Sequence, residues 1–97
     1  MTERILTLHP AGKNGVRIEQ AKYDGMRKAL LKVIPKAPRD VAFSDLKDLV
    51  EKHLPKKAFG PDVSRNWYVT TVKQDLEARG EIEIVPGKRP QHLRRLG

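Results

Sequence analysis

The chain has 97 residues, of which 38% are hydrophobic and 33% are charged, so it is long enough for one domain with one modest core. It has no cysteine, which excludes disulfides and thiolate metal sites, and no apolar run approaches the roughly 20 residues that a membrane span needs. The N-terminus lacks the basic start and long apolar centre of a secretory signal, so we expect a cytoplasmic protein.

The formal net charge of +8 is distributed unevenly along the chain. Residues 1–39 hold nine basic side chains against three acidic ones, and residues 55–97 hold nine against five. Residues 40–54 reverse the balance, with two against four. Basic ends favour a polyanionic partner, usually nucleic acid, although charge alone also keeps small domains soluble.

The first 18 residues predict a β arm or hairpin. Leu6 and Leu8 alternate with polar residues, as do Val16 and Ile18, which is typical of strands. Asn14-Gly15 predicts the turn between them, because both residue types tolerate positive φ.

The next segment predicts two helices separated by a short strand. Apolar residues recur at helical spacing over about 19–34, and Pro35 and Pro38 stop that helix. Residues 41–43 form a β-type run. Ser44 is then the predicted N-cap of a second helix over about 45–54, whose buried stripe is Leu46, Leu49, Val50 and Leu54.

A third helix is predicted over about 64–79, ending at Gly80. Its core side is Tyr68, Val69, Val72 and Leu76, and the opposite side is Asn66, Trp67, Thr70, Thr71, Gln74 and Ala78. Residues 81–96 then predict a hairpin with Ile82, Ile84 and Leu93 on its buried face and a basic turn over residues 86–90.

The order helix, short strand, helix, helix, strand, basic turn, strand resembles the winged helix-turn-helix domain over roughly residues 19–96. The segment WYVTTVKQDLEARGEIEIV looks like the third helix and first wing strand of bacterial regulators. The whole chain also looks similar to a family of small uncharacterised bacterial proteins with no assigned activity. The expected fold is therefore α+β, a winged helix with a C-terminal hairpin wing and an added N-terminal β arm.

The resemblance implies a DNA-binding regulator or a chromosome-associated protein of the nucleoid. In the helix-turn-helix family the third helix enters the major groove, and the wing contacts the backbone or minor groove. Carried over, the nucleic-acid-binding residues would be Ser64, Asn66, Thr70, Lys73 and Gln74 on the helix, with Lys88, Arg89, Arg94 and Arg95 on the wing.

Three alternatives remain open. The polar face of the third helix could be only a solvated surface, and the wing cations could only balance Glu81 and Glu83 across the hairpin. A winged helix used for protein contact would place Trp67 and Tyr68 in an interface. An RNA-binding variant has few aromatic side chains with which to stack bases.

Trp67 is the side chain that the predicted helix explains least, because it lies away from the core stripe. We expect the N-terminal arm, or its copy in a homodimer, to cover the indole at the start of the third helix. No enzyme, metal site or cofactor is expected, because His9, His53 and His92 lack ligand spacing and no nucleophile–base set emerges.

Overall fold

The computed structural model describes residues 3–12 and 14–96 and contains three helices and two small antiparallel sheets, which confirms the expected α+β class. The radius of gyration is 13.0 Å, as in compact domains of this length. The elements in chain order are β1 (Arg4–Leu8), β2 (Asn14–Glu19), α1 (Gln20–Val33), β3 (Val41–Ala42), α2 (Phe43–Glu51), α3 (Arg65–Ala78), β4 (Ile82–Ile84) and β5 (His92–Arg95).

The three helices pack around one apolar core. Their predicted apolar stripes supply most of it, and the sheet contributes Ile82 and Leu93. α1 approaches the segment after α2 closely at Gly25, where an added Cβ would lie 2.9 Å from Cδ and Cγ of Pro55. A larger residue at position 25 would therefore push these two segments apart. The fully inaccessible apolar side chains are Met26, Leu30, Ile34, Leu46, Val50, Val72, Leu76 and Leu93.

The start of α2 differs from the prediction. The helix begins at Phe43, with Ala42 at the N-cap position and no side-chain cap, so Ser44 lies inside the first turn. The chain passes directly from β3 into the helix, which leaves no irregular residue where Ser44 could act as a cap. Leu49, predicted to be buried, is 38% exposed at the edge of the stripe.

The second sheet joins the C-terminal hairpin to the helical part of the chain. Its strand order is β3-β5-β4, with both pairs antiparallel, so Leu93 of the central strand is paired with both Val41 and Ile84. The prediction that Ile84 is buried is wrong, because the period of two breaks at the end of β4: Ile84 is exposed and Val85 is buried instead.

α3 ends at Ala78, and Gly80, the glycine that the sequence predicts to stop the helix, follows its C-cap Arg79. The glycine has φ +75, and the N–H groups of Gly80 and Glu81 donate to the carbonyls of Glu77 and Leu76. These two bonds form the Schellman motif, which closes a helix and turns the chain sharply. The turn leads directly into β4.

The N-terminal hairpin faces the core differently from the prediction. Leu6, Leu8 and Val16 point outward, whereas Thr7 is buried and its hydroxyl accepts the Val16 N–H at 3.0 Å. The turn precedes β2: the Gly12 N–H donates to the His9 carbonyl, and Asn14 and Gly15 belong to the strand. A β-bulge between Leu6 and Leu8 shifts the register, which is why simple alternation fails here.

A buried carboxylate attaches this hairpin to the helices. Asp75 on α3 is fully inaccessible, and its Oδ1 accepts the N–H of Leu8 at 2.8 Å. Its Oδ2 accepts the Tyr23 hydroxyl of α1 and, at 2.8 Å, Nε of Arg79. One side chain therefore holds β1, α1 and α3 together.

Replacing Asp75 with alanine should lower the free energy of unfolding by about 3–5 kcal/mol, because the buried Tyr23 hydroxyl and the part-buried Leu8 N–H lose their acceptor and Arg79 loses its ion-pair partner. Urea denaturation followed by circular dichroism measures the change. The matched control is Asp48→Ala, an exposed carboxylate on α2, which should change stability by less than about 0.5 kcal/mol. Equal stabilities for the two variants would contradict the anchoring role of Asp75.

The alkaline limit of stability should depend on Tyr23. Burial, followed by the hydrogen bond to Asp75, raises the pKa of Tyr23 from 10.0 to about 12. A raised folded-state pKa stabilises the fold fully below pH 10, and this contribution is lost as the pH rises toward 12. The stability difference between wild type and Tyr23→Phe should therefore be constant below pH 10 and shrink by about 1 kcal/mol per pH unit above it. A difference that stays constant up to pH 12 would contradict this assignment.

Candidate nucleic-acid interface

Arg65 fixes the start of α3 relative to the rest of the molecule. Its guanidinium donates to both carboxylate oxygens of Glu51, at 3.0 and 3.2 Å, and so ties α3 to the end of α2. It also donates to three backbone carbonyls of the connecting segment, those of Phe59, Gly60 and Val63. These bonds use the planar fork of donors that only arginine offers. The first turn of α3 is therefore held rigidly.

Three of the residues predicted on α3 are exposed at its N-terminal half. Ser64 is the N-cap, and its hydroxyl accepts the Trp67 N–H at 3.2 Å. Asn66 and Thr70 lie on the open surface, and Gln74, one turn further on, is half-buried. These side chains form a short polar strip rather than a face along the whole helix.

Lys73 does not belong to that strip, and the expectation that it lies on the exposed face is wrong. It is 6% exposed, with its ammonium 5.2 Å from the centroid of the Phe43 ring. Nζ also lies 3.0 Å from Oε1 of Glu77, an ion-pair distance without hydrogen-bond alignment. The side chain is enclosed because α2 begins at Phe43 and brings that ring over α3. Lys73 is thus part of a buried ion pair.

Trp67 is 44% exposed, so the arm of the same chain does not bury it. The arm packs instead at the other end of α3, where Leu8 reaches Asp75. Trp67 packs edge-on against Tyr68, with 4.8 Å between ring centroids, and Tyr68 packs in the same way against Phe59 at 5.4 Å. The indole is therefore the exposed end of a row of three aromatic rings.

Of the predicted wing cations, Arg89 lies on the surface without an ion pair among residues 3–12 and 14–96. Arg94 pairs with Glu83, the residue opposite it on β4. Arg95 donates from Nε to the carbonyl of Ile34 at 2.6 Å, at the end of α1. Arg94 and Arg95 therefore hold the hairpin in place, as well as contributing charge.

Lys88 is exposed but is already paired with a carboxylate of the same chain. Its Nζ lies 2.5 Å from Oδ2 of Asp40, whose Oδ1 lies 2.8 Å from Nδ1 of His92. The hydrogen bond from Lys88, followed by that from His92, lowers the pKa of Asp40. The carboxylate therefore holds the hairpin at neutral pH, and this contribution is lost as the pH falls through the lowered pKa.

Some side chains that matter in the structure have no role predicted from the sequence. Lys28, Lys32 and Lys52 line a cavity between α1 and the segment after α2. The signal available in the sequence was the spacing of Lys28 and Lys32, like charges one helical turn apart that repel each other. The i,i+4 spacing of Asp75 and Arg79 is typical of an ion pair, which the structure contains, but that spacing does not indicate that Asp75 is fully buried.

Among the described residues, no group of three or more His, Cys, Asp or Glu side chains is arranged to hold a metal ion. In the same part of the chain, every helix is too short or too polar to cross a membrane.

Comparison with known proteins gives a family without an assigned role. A family model described as "Family of unknown function (DUF6958)" matches residues 4–93. No curated protein and no solved structure matches the chain significantly. The inference of function therefore depends on the residues of this chain.

Lys73 should act on stability and not on nucleic-acid binding. Lys73→Ala should cost about 3 kcal/mol of unfolding free energy, because it leaves Glu77 buried without its partner. The double variant Lys73→Met/Glu77→Leu, which leaves the net charge unchanged, should recover most of that loss. It should also bind duplex DNA with wild-type affinity in a fluorescence-anisotropy titration. If the stable double variant bound DNA more weakly than wild type, Lys73 would contribute to DNA binding and the prediction would be wrong.

Proposed function

The chain belongs to a family of unknown function, and from its own residues we propose that it is a winged-helix protein that binds double-stranded DNA. Its role would be that of a regulator or of a chromosome-associated protein. The proposal is non-enzymatic, with α3 and the C-terminal hairpin as the contacting elements.

The observation that carries the proposal is the way the hairpin joins the helices. The short strand β3 lies between α1 and α2 in the chain and pairs with β5, the return strand of the hairpin. The hairpin is therefore fixed to the helical layer and does not extend freely from the end of α3. This supports the resemblance to a winged helix, in which a helix and a wing contact DNA as one rigid unit.

The side chains available to DNA are fewer than the sequence predicts. On α3 they are Asn66, Thr70 and the half-buried Gln74, with Ser64 and the helix N-terminus suited to a phosphate. On the wing they are Lys88 and Arg89 at the exposed tip, residues 86–90. Two cations and a short polar strip favour backbone contacts over extensive base reading.

Contact with another protein is the second candidate, favoured by the exposure of Trp67. An indole that is 44% exposed and backed by Tyr68 is a typical anchor of protein interfaces. The two candidates differ in their response to salt. Phosphate neutralisation makes log affinity fall steeply with log salt concentration, whereas an apolar interface responds weakly.

The wing tip tests the DNA proposal. Lys88→Ala/Arg89→Ala should weaken binding to all duplexes about equally and reduce the salt slope by about one unit per lost phosphate contact. The matched control is Arg4→Ala/Arg17→Ala, which removes the same charge from the exposed N-terminal hairpin. Anisotropy titrations with a random duplex at several salt concentrations measure both quantities.

The proposal requires that the wing-tip variant bind DNA more weakly, and with a smaller salt slope, than the control variant. Equal affinities and slopes would mean that only net charge matters and that the wing tip makes no contact. An unchanged affinity in the wing variant, combined with loss of a protein partner in Trp67→Ala, would favour the second candidate.

A further inference from the structure

We infer that the cavity between α1 and the segment after α2 is an anion site that takes a phosphate-bearing ligand. The cavity has a volume of about 530 Å³, within the range of small-molecule sites. It lies on α1 and on the segment after α2, and no residue of α3 or of the C-terminal hairpin lines it, so it is additional to the DNA contacts proposed above.

The cavity exists because one side of α1 carries small residues. Ala21, Gly25 and Ala29 follow one another at intervals of four along the helix and line its floor. Pro55 packs against Gly25 at a distance that no Cβ would allow, which brings the segment after α2 alongside α1.

The rim of the cavity is basic. Lys28 and Lys32 project from α1, and Lys52 and His53 lie across from them. Asp24 is the only acidic residue among those lining it, and it already accepts a hydrogen bond from Gln20 at 2.8 Å. The lining therefore contains three lysines and one histidine against one acidic residue.

These lysines differ from the other cations of α1. Lys22 pairs with Glu19 and Arg27 pairs with Glu81. In residues 3–12 and 14–96, Lys28, Lys32 and Lys52 form no ion pair. Like charges one turn apart destabilise a helix, so placing Lys28 and Lys32 together costs stability that an anion between them would offset.

The arrangement favours phosphate over other anions. Lysine binds phosphate as a mobile point charge, and several lysines can surround a group that carries more than one negative charge. Two sources share this chemistry: a free phosphorylated small molecule and the backbone of a nucleic acid.

The test uses inorganic tripolyphosphate with the isotope-labelled full chain at about 0.15 M salt, where distant charges are screened. Saturable amide shifts should be confined to the helix segment 21–32 and to residues 52–54. Lys28→Gln/Lys32→Gln should weaken binding at least tenfold. Arg4→Gln/Arg17→Gln, which removes equal charge elsewhere, should leave binding unchanged. Shifts spread over the whole basic surface, or equal binding by both variants, would overturn the site.

Two further measurements complete the test. Lys52 lines the cavity from the side opposite α1, so Lys52→Gln changes the site without changing the helix. This variant should bind tripolyphosphate more weakly than wild type. An unchanged affinity would overturn the inference. Duplex DNA then identifies the source. If Lys28→Gln/Lys32→Gln binds duplex DNA with wild-type affinity, the ligand of the cavity is a free phosphorylated molecule. If its DNA affinity falls together with its tripolyphosphate affinity, the ligand is the phosphate backbone of a nucleic acid. Because the wing-tip variant tests DNA binding separately, failure at this cavity leaves that proposal intact.

Discussion

The buried carboxylate of Asp75 is the interaction on which the arrangement of the molecule depends. It receives donors from the first strand, the first helix and its own helix, so the N-terminal hairpin, α1 and α3 share one anchor. A charge removed from water is costly unless it is paired and fully hydrogen-bonded, and here Arg79 supplies the opposite charge. The same bond between Asp75 and Leu8 fixes the hairpin at the C-terminal half of α3. The N-terminal half, with Asn66, Thr70 and Trp67, is left open as a consequence.

Much of the fold was predictable, because apolar residues that recur at helical spacing indicate a long helix directly in the sequence. The stripes of α1 and α3 and the closing glycine at position 80 agree with the structure. The errors fall where one local rule competes with tertiary contacts. Ser44 resembles an N-cap, but the strand before it runs directly into the helix. Thr7 is the polar member of the alternation in the arm, yet it is the buried one, and its hydroxyl is satisfied there by the Val16 N–H.

The candidate site was harder to predict than the fold, since exposure of a single side chain depends on its neighbours from other elements. Lys73 is charged and was therefore assigned to the polar face, although it lies one helical turn from both Val69 and Leu76. The Phe43 ring and Glu77 lie against its ammonium group. Arg94 pairs with Glu83 across the hairpin, which the sequence allowed as an alternative. Arg95 resembles a free cation in the sequence, because its partner, the carbonyl of Ile34 after α1, is 61 residues away in the chain. The charge of +8 therefore divides into cations that hold the fold together and cations that remain available to a ligand.

The ion pair between Lys88 and Asp40 at the tip of the C-terminal hairpin means that any phosphate binding to Lys88 competes with a carboxylate of the same chain. The fold holds the Asp40 carboxylate beside the lysine, so this carboxylate competes with any dissolved anion for Lys88. A phosphate that binds Lys88 must displace the Asp40 carboxylate. Lys88 therefore adds to the affinity only the difference between its interaction energies with phosphate and with Asp40. A weakly charged ligand would gain little from that exchange, whereas a polymer with several phosphates could also contact Arg89. If the tip binds phosphates, this competition would favour densely charged chains over isolated anions.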